Sequence, residues 1–306
     1  MSGQKSGMPV ILITTADMQS GRDAALRRLV DSVERFRASR PDVPLVHLML
    51  LQRCSDVAAA REQLGFPARM TVSAVDRQVP LSIARNVMIN SLLSDPPDGF
   101  EEAVVAFPDD DAWYPDGVLE YIYRRFETDE ELDFWFCRYG SAAALPAQVT
   151  ERVPSLQQTI ARASSNTIVI RGRVLRACAG FDENLGLGTP ARSGEDTDFG
   201  MRSFFAARKV SMAPHIMVGH RDFDPGIRAK YYAGTLIALG RHLAASWEAK
   251  RAFARKIVVG LALVAKRDLS PAGLAEAWQG FRTNCRAVNP SQQWPGAATG
   301  QATKKV

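Results

Sequence analysis

Cysteine is sparse in this chain and scattered: Cys54, Cys137, Cys178 and Cys285 make no C-x-x-C pair. That spacing excludes a disulfide framework and a thiolate zinc site. Long apolar runs are missing too. No stretch approaches the ~18 uninterrupted apolar residues of a spanning helix, and the opening Met1-Ser2-Gly3-Gln4-Lys5-Ser6-Gly7 lacks the apolar core of a secretory signal. A cytoplasmic protein is the expectation. Internal repeats and low-complexity tracts are absent as well, which excludes solenoid and propeller architectures.

What is present is an ordinary globular composition. With 306 residues and 46% hydrophobic content, the chain can bury a sizeable core as one large domain or two modest ones. Charge is distributed unevenly. Residues 226–306 carry 13 Lys and Arg against 3 Asp and Glu, whereas residues 1–225 carry 25 against 30, so a net +5 divides into +10 and −5. The basic residues of the tail flank the apolar stretch Ile257-Val258-Val259-Gly260-Leu261-Ala262-Leu263-Val264-Ala265. An amphipathic basic segment of this kind favours an anionic membrane surface over nucleic acid.

The first hundred residues alternate between two periods. Val10 to Thr14, Leu45 to Leu51, Met70 to Val75 and Ala103 to Phe107 are short apolar or β-branched runs. Between them, apolar residues recur at helical spacing at Leu26, Leu29, Val30, Val33 and Phe36, then over 57–64 and 82–93. This order predicts an α/β fold: a doubly wound, mostly parallel central sheet flanked by helices, with ligands outside the carboxyl ends of its strands. Further strands are expected at 134–138, 167–170 and 209–218, a short helix at 173–178 ended by Gly180, and a helix at 195–207. Residues 140–154 read as a loop, and the glycine-rich segment Leu185 to Gly194 as a mobile one. Helices are expected at 227–245, 249–266 and 271–286. The domains are then 8–225, a basic helical C-terminal extension at 226–290, and a disordered tail at 291–306.

The most informative segment follows the fourth strand. Phe107-Pro108-Asp109-Asp110-Asp111-Ala112-Trp113-Tyr114-Pro115-Asp116 places three consecutive carboxylates at a strand end. Aspartate is common in turns, and Pro115 suits the start of a helix. Close-set hard oxygens in a crevice also suit Mg²⁺ or Mn²⁺ bridging to a nucleotide's phosphates. Three more local signals accompany the triplet. Arg85, early in a helix, can meet a phosphate. Glu195 and Asp196 stand at a helix N-terminus, where acids cap free N–H groups and where one could act as a general base. His220 ends a strand-like run and can be a neutral imidazole ligand.

Taken together, residues 9–222 resemble a family 2 glycosyltransferase of the GT-A fold. The resemblance is carried by Ala84-Arg85-Asn86, by Asp109-Asp110-Asp111 with Trp113-Tyr114-Pro115, by Ser165-Asn166, by Gly180-Phe181-Asp182-Glu183, and by Gly194-Glu195-Asp196-Thr197-Asp198-Phe199 with Arg202. It implies an inverting, metal-dependent transferase of the hexosyl or related class, acting in polysaccharide or glycoconjugate synthesis. The donor would be a nucleotide-diphosphate sugar and the acceptor a saccharide or a lipid-linked sugar. By the same resemblance the triplet is a DXD motif, with Asp110, Asp111 and His220 on Mn²⁺ or Mg²⁺. Thr14, Arg85, Asp109 and Asp110 would meet the nucleotide sugar. Asp196 would be the base and Glu195 would orient it or the acceptor, with Trp113, Arg192 and Gly194 on the acceptor side.

Two departures mark a divergent branch. After the second strand, Gln52-Arg53-Cys54-Ser55 replaces the acidic residue that usually reads base or ribose, and Thr14-Thr15-Ala16-Asp17 replaces the usual opening loop. A GT-A-like subunit without activity is therefore one alternative. A sugar nucleotidyltransferase is another, although Thr14 to Gly21 holds one glycine where its phosphate loop should be. Peripheral attachment at the inner face of a membrane is the further expectation for the basic tail.

Overall fold

A computed structural model describes residues 7–222, 224 and 226–284, apart from the side chains of Ile227 and Arg228. The tail expected at 291–306 and Cys285 lie outside the described residues. Strands β1 (Val10–Asp17), β2 (Leu45–Gln52), β3 (Thr71–Val75), β4 (Val104–Ala106), β5 (Leu132–Gly140), β6 (Ile168–Arg171) and β7 (Lys209–Gly219) form one sheet in the order β3-β2-β1-β4-β6-β5-β7. β1 runs parallel to both β2 and β4, so the strand order reverses direction there and a crevice opens at the carboxyl ends. β6 is antiparallel to β4 and β5, and β5 is parallel to β7. The sheet is thus mostly parallel, as the alternation predicts, with one reversed strand.

Strand periodicity sorts the core into two layers. On β1, Val10, Leu12 and Ala16 face one side and pack with Leu29, Val33 and Phe36 of α1 (Asp23–Ser39). Ile11 and Ile13 face the other side. There they meet Ala84, Met88 and Ile89 of α3 (Leu81–Ser94), which follows α2 (Val57–Leu64) in the chain. α4 (Val118–Thr128) joins the first layer, and α6 (Gly172–Cys178) and α7 (Glu195–Ala206) the second. Leu29 and Ile11 are fully buried, and truncating either to Ala would cost about 2–5 kcal/mol.

The helix α5 (Leu156–Arg162) was not expected beside the 140–154 loop. Its sequence signal is a capping box, in which Ser155 Oγ accepts from Gln158 N and Gln158 Oε1 accepts from Ser155 N. The long helix expected at 227–245 is instead divided into α8 (Ile227–Lys230) and α9 (Tyr232–Arg241), followed by α10 (Trp247–Ala265) and α11 (Pro271–Asn284). At the division the Tyr231 carbonyl accepts from Ser193 Oγ at 3.1 Å, tying the break to the loop before α7.

Glycine lets α9 approach closely. Gly194 caps α7 at φ +98°, and a Cβ there would collide with the Gly234 carbonyl, while a Cβ on Gly234 would strike Ser193. Beneath this contact lies a buried ionic cluster. Asp198 Oδ1 pairs with His242 Nε2 at 2.8 Å, and its Oδ2 accepts from Arg202 Nε at 2.8 Å. Arg202 also donates to the carbonyls of Cys178 and Gly180. Burial pushes the Asp198 carboxyl up, but Arg202 and His242 outweigh it and hold it down at about 2. The C-terminal helices therefore fix the helix that presents Glu195 and Asp196.

Candidate active site

The cleft is organised by the loop after β4. That strand ends at Ala106, Phe107 fills the core, and Pro108 offers no N–H to continue the ladder. The next three carboxylates take three directions. Asp109 is gripped by Asn166, whose Oδ1 accepts from Asp109 N at 2.7 Å and whose Nδ2 donates to Asp109 Oδ2 at 2.9 Å. Asp110 is buried and accepts from Arg22 Nη1 at 2.7 Å. Asp111 Oδ1 lies 3.0 Å from His220 Nε2.

Adjacency in sequence therefore does not put the three acids in one group. Ligand atoms of Asp109, Asp111 and His220 all lie within 4.8 Å of one another, whereas Asp110, expected on the metal, is turned to Arg22. Burial pushes the Asp110 carboxyl up despite Arg22. Burial raises Asp111 also, but His220 and Arg22 outweigh it and hold it below the usual carboxylate range. Asp111 Oδ1 and His220 Nε2 are both buried, and their close approach raises the imidazole pKa against the lowering effect of burial. His220 Nδ1 lies 3.1 Å from the Arg221 carbonyl, a partner that keeps a proton on Nδ1, so an ion at Asp111 would displace the Nε2 proton and take that nitrogen as its ligand. Two carboxylates and one imidazole are a donor set suited to Mn²⁺, with positions left over for phosphate oxygens. The residues fit such an ion.

Arg85 joins this group to the second one. It is 2% exposed, packs over the Phe181 ring at 4.8 Å, and donates from Nη2 to Asp109 Oδ1 at 2.7 Å and to Ser165 Oγ at 2.8 Å. Its Nη1 stands 3.5 Å from Asp196 Oδ1. Asp196 Oδ2 in turn accepts from Ser165 N, Ser165 Oγ and Ser164 Oγ at 3.0, 3.3 and 3.2 Å. One buried cation thus lies between the ion-binding group and the carboxylate at the start of α7. Glu195 beside it is buried, and burial together with the Asp196 charge pushes its carboxyl up to about 8.

The Gly-Phe-Asp-Glu motif has a supporting place. Asn86 holds it by accepting from Phe181 N at 2.8 Å and donating to Phe181 O and Glu183 Oε1 at 2.8 and 3.0 Å. Gly180 is at φ +95° against the Asn86 amide, and Asp182 pairs with Arg241 of α9. Thr14 lies away from the cleft. It sits three residues before the end of β1, fully buried, its hydroxyl 3.1 Å from His47 Nε2. Thr15 and Asp17 line the cleft in its stead. Trp113 forms a bridge with Gly219, stacks beneath Arg28 at 3.3 Å, and so holds the triplet's loop against the end of β7 and His220. Gly194 is the N-cap of α7, and Arg192 is exposed at φ +57°.

Several cleft residues escaped the sequence reading. Arg22, Ser164 and the bonds of Asn166 carry no motif by themselves, and only Ser165-Asn166 stood out as a pair. Arg53, noted as a departure, is bound through Nε to Asp17 Oδ1 at 2.7 Å and occupies both oxygens of the acid at the end of β1. The arrangement encloses two adjoining cavities of about 430 and 540 Å³, which share Leu81, Asp109, Leu187 and Arg221. Gln52, Asp17 and Arg22 line the first, and Arg85, Glu195, Asp196 and His220 the second. Asp109 stands where they meet.

The chain matches no protein-family model and no curated protein by sequence. Its structure resembles solved ones. S. aureus TarS aligns at TM-score 0.54 and 16% identity, covering 80% of this chain and 41% of that one. TarS 1-349 in complex with UDP aligns at TM-score 0.52 and 14% identity over 94% of this chain and 91% of that one. The mannosyltransferase PcManGT from Pyrobaculum calidifontis, in complex with GDP-Man and Mn²⁺, aligns at TM-score 0.52 and 12% identity over 94% and 83%. At these identities the likeness establishes the fold, which is of the GT-A type.

Proposed function

We propose that the protein is a metal-dependent glycosyltransferase that moves a sugar from a nucleotide-diphosphate donor to an acceptor hydroxyl with inversion. The observation that carries this reading is the place of Asp109, a member of the ion-binding group on the walls of both cavities, the second of which also contains His220, Glu195 and the held Asp196. The solved structures of the same fold with UDP, or with GDP-Man and Mn²⁺, support a nucleotide-sugar donor.

In this reading the first cavity takes the nucleotide, and Arg22 exchanges its partner Asp110 for the donor's phosphates. Asp109, Asp111 and His220 would hold Mn²⁺ or Mg²⁺, which would supply charge to stabilise the leaving diphosphate. Arg85 is spent on Asp109 and Asp196, so its part is to position both. Asp196 takes the proton of the attacking hydroxyl as the new bond to the anomeric carbon forms. The bond to the diphosphate oxygen breaks, and the nucleoside diphosphate leaves with the electron pair. Glu195, kept protonated by burial, donates a hydrogen bond to the acceptor.

The test is a thermal-shift panel of nucleoside diphosphates with Mn²⁺, followed by transfer assays on Asp196→Asn. A nucleoside diphosphate should stabilise the protein only with the ion, by ~2.7 kcal/mol at a hundred times its Kd, and Asp196→Asn should keep that binding while losing transfer at least a hundredfold. Equal nucleotide affinity in EDTA, or near-normal turnover by Asp196→Asn, would overturn the assignment.

A further inference from the structure

The cleft's second cavity carries more positive charge than this chemistry uses. Arg138 near the end of β5, Arg162 in the last turn of α5 and Arg192 in the loop before α7 all line it. Each is exposed, and no side chain of the three makes a hydrogen bond or ion pair with another described residue. The acids on the same walls are otherwise engaged. Asp109 and Asp196 are held by Arg85, Asn166 and the two serines. Asp222 accepts from Ser141 N and Oγ at 2.8 and 2.7 Å, and Glu195 is protonated below its raised pKa.

Solvated arginines are ordinary on a protein surface, and Arg162 also suits a helix C-terminus. Convergence is what sets these apart. Three separate elements deliver unpaired guanidinium groups to one cavity, alongside Asp196. Arg192 does so from the left-handed region, at φ +57°, a conformation that favours Gly or Asn over Arg. Planar guanidinium forks match phosphate and carboxylate oxygens in pairs.

We propose that the acceptor is an acidic glycan or glycan-linked polymer bearing phosphodiester or carboxylate groups. Arg138, Arg162 and Arg192 bind those groups while a neighbouring hydroxyl meets Asp196. The proposal rests on the glycosyl-transfer reading of the cleft and names its acceptor class.

Calorimetric titration of the whole protein tests it with three probes: a glycerol phosphate oligomer, an oligogalacturonate and a neutral dextran oligosaccharide. The same samples are titrated with UDP and GDP in Mn²⁺. One acidic probe should bind at low salt, weaken as salt rises, and lose at least tenfold in affinity in the triple variant Arg138→Gln/Arg162→Gln/Arg192→Gln. Which acidic probe binds identifies phosphate or carboxylate. The three arginines are exposed and unpaired, so the variant should keep the wild-type melting temperature and nucleotide affinity. Acidic binding that survives the triple variant, dextran binding as tight, or no binding of either acidic probe would overturn the proposal. So would an oligothymidylate that binds equally well, which would assign the arginines to nucleic acid. Failure of both nucleotides to bind the wild type, with acidic binding still dependent on the arginines, would instead sink the transferase reading alone.

Discussion

Substituting Glu195 with Gln should make the protein more stable and remove part of its pH dependence. The Glu195 carboxyl is pushed from 4.5 to about 8 by burial and by Asp196. Between those values the folded state holds a proton that the unfolded chain has released, so stability falls as pH rises through the window and levels off above about 8. At pH 7, keeping that proton costs ~3 kcal/mol, from ~1.4 kcal/mol for each pH unit above the unfolded pKa. Glutamine has the shape of the protonated acid and no proton to hold. After allowance for its changed hydrogen-bonding capacity, Glu195→Gln should gain ~1–3 kcal/mol at pH 7 and little at pH 4.5. The assay is urea unfolding of metal-free wild type and variant at half-unit steps from pH 4.5 to 8.5, read as midpoint and slope. Parallel stability curves, offset or not, would refute the reasoning, because they would show that Glu195 ionises alike in both states.

Other consequences follow from the packing. Gly194→Ala should cost more than ~2 kcal/mol by urea unfolding, because it puts a side chain at φ +98° and against the Gly234 carbonyl. A neutral effect would mean that α9 is not docked there. Asp198→Ala should cost about 3–5 kcal/mol by removing the carboxylate that compensates the buried Arg202 charge and pairs with His242. In wild type this contribution should persist at pH 4 and fade only as pH drops from the ordinary carboxylate value toward about 2. The outer face of α10 exposes Trp247, Val258 and Leu261 near Lys250, Arg251 and Arg255. No helix among the described residues is long and apolar enough to cross a membrane. Flotation with anionic liposomes should carry the protein upward and fail with Trp247→Ala/Val258→Ser/Leu261→Ser; equal flotation of that variant would remove α10 as the contact.

How much of this was legible beforehand depends on the range of the interaction. Period and punctuation are local, and they located the strands of the sheet and the helices α1 to α4, because burial of one helix stripe or both strand faces writes itself into consecutive residues. Motif order likewise drew attention to Asp109 to Asp111, Glu195, Asp196 and His220. The capping box at Ser155 to Gln158 is equally local, but it stands beside a loop with weak periodicity that masks the short helix it opens. The division of 227–245 had no such local mark, since it is tied to a hydrogen bond from Ser193.

The sequence by itself determined the layer architecture, the position of an acidic loop at a strand's carboxyl end, and the basic character of the last helices. Tertiary structure decided which groups share a space. It turned Asp110 to Arg22 and brought Asp109, Asp111 and His220 together across more than a hundred residues. It also used Arg85 to link two acids, buried Thr14, and gathered Arg138, Arg162 and Arg192 around one cavity. The physical reason is that a side chain's direction depends on strand pleat, helix phase and loop dihedrals summed along the fold. Its charge partners are then chosen by proximity in a low-dielectric cleft rather than by proximity in the chain.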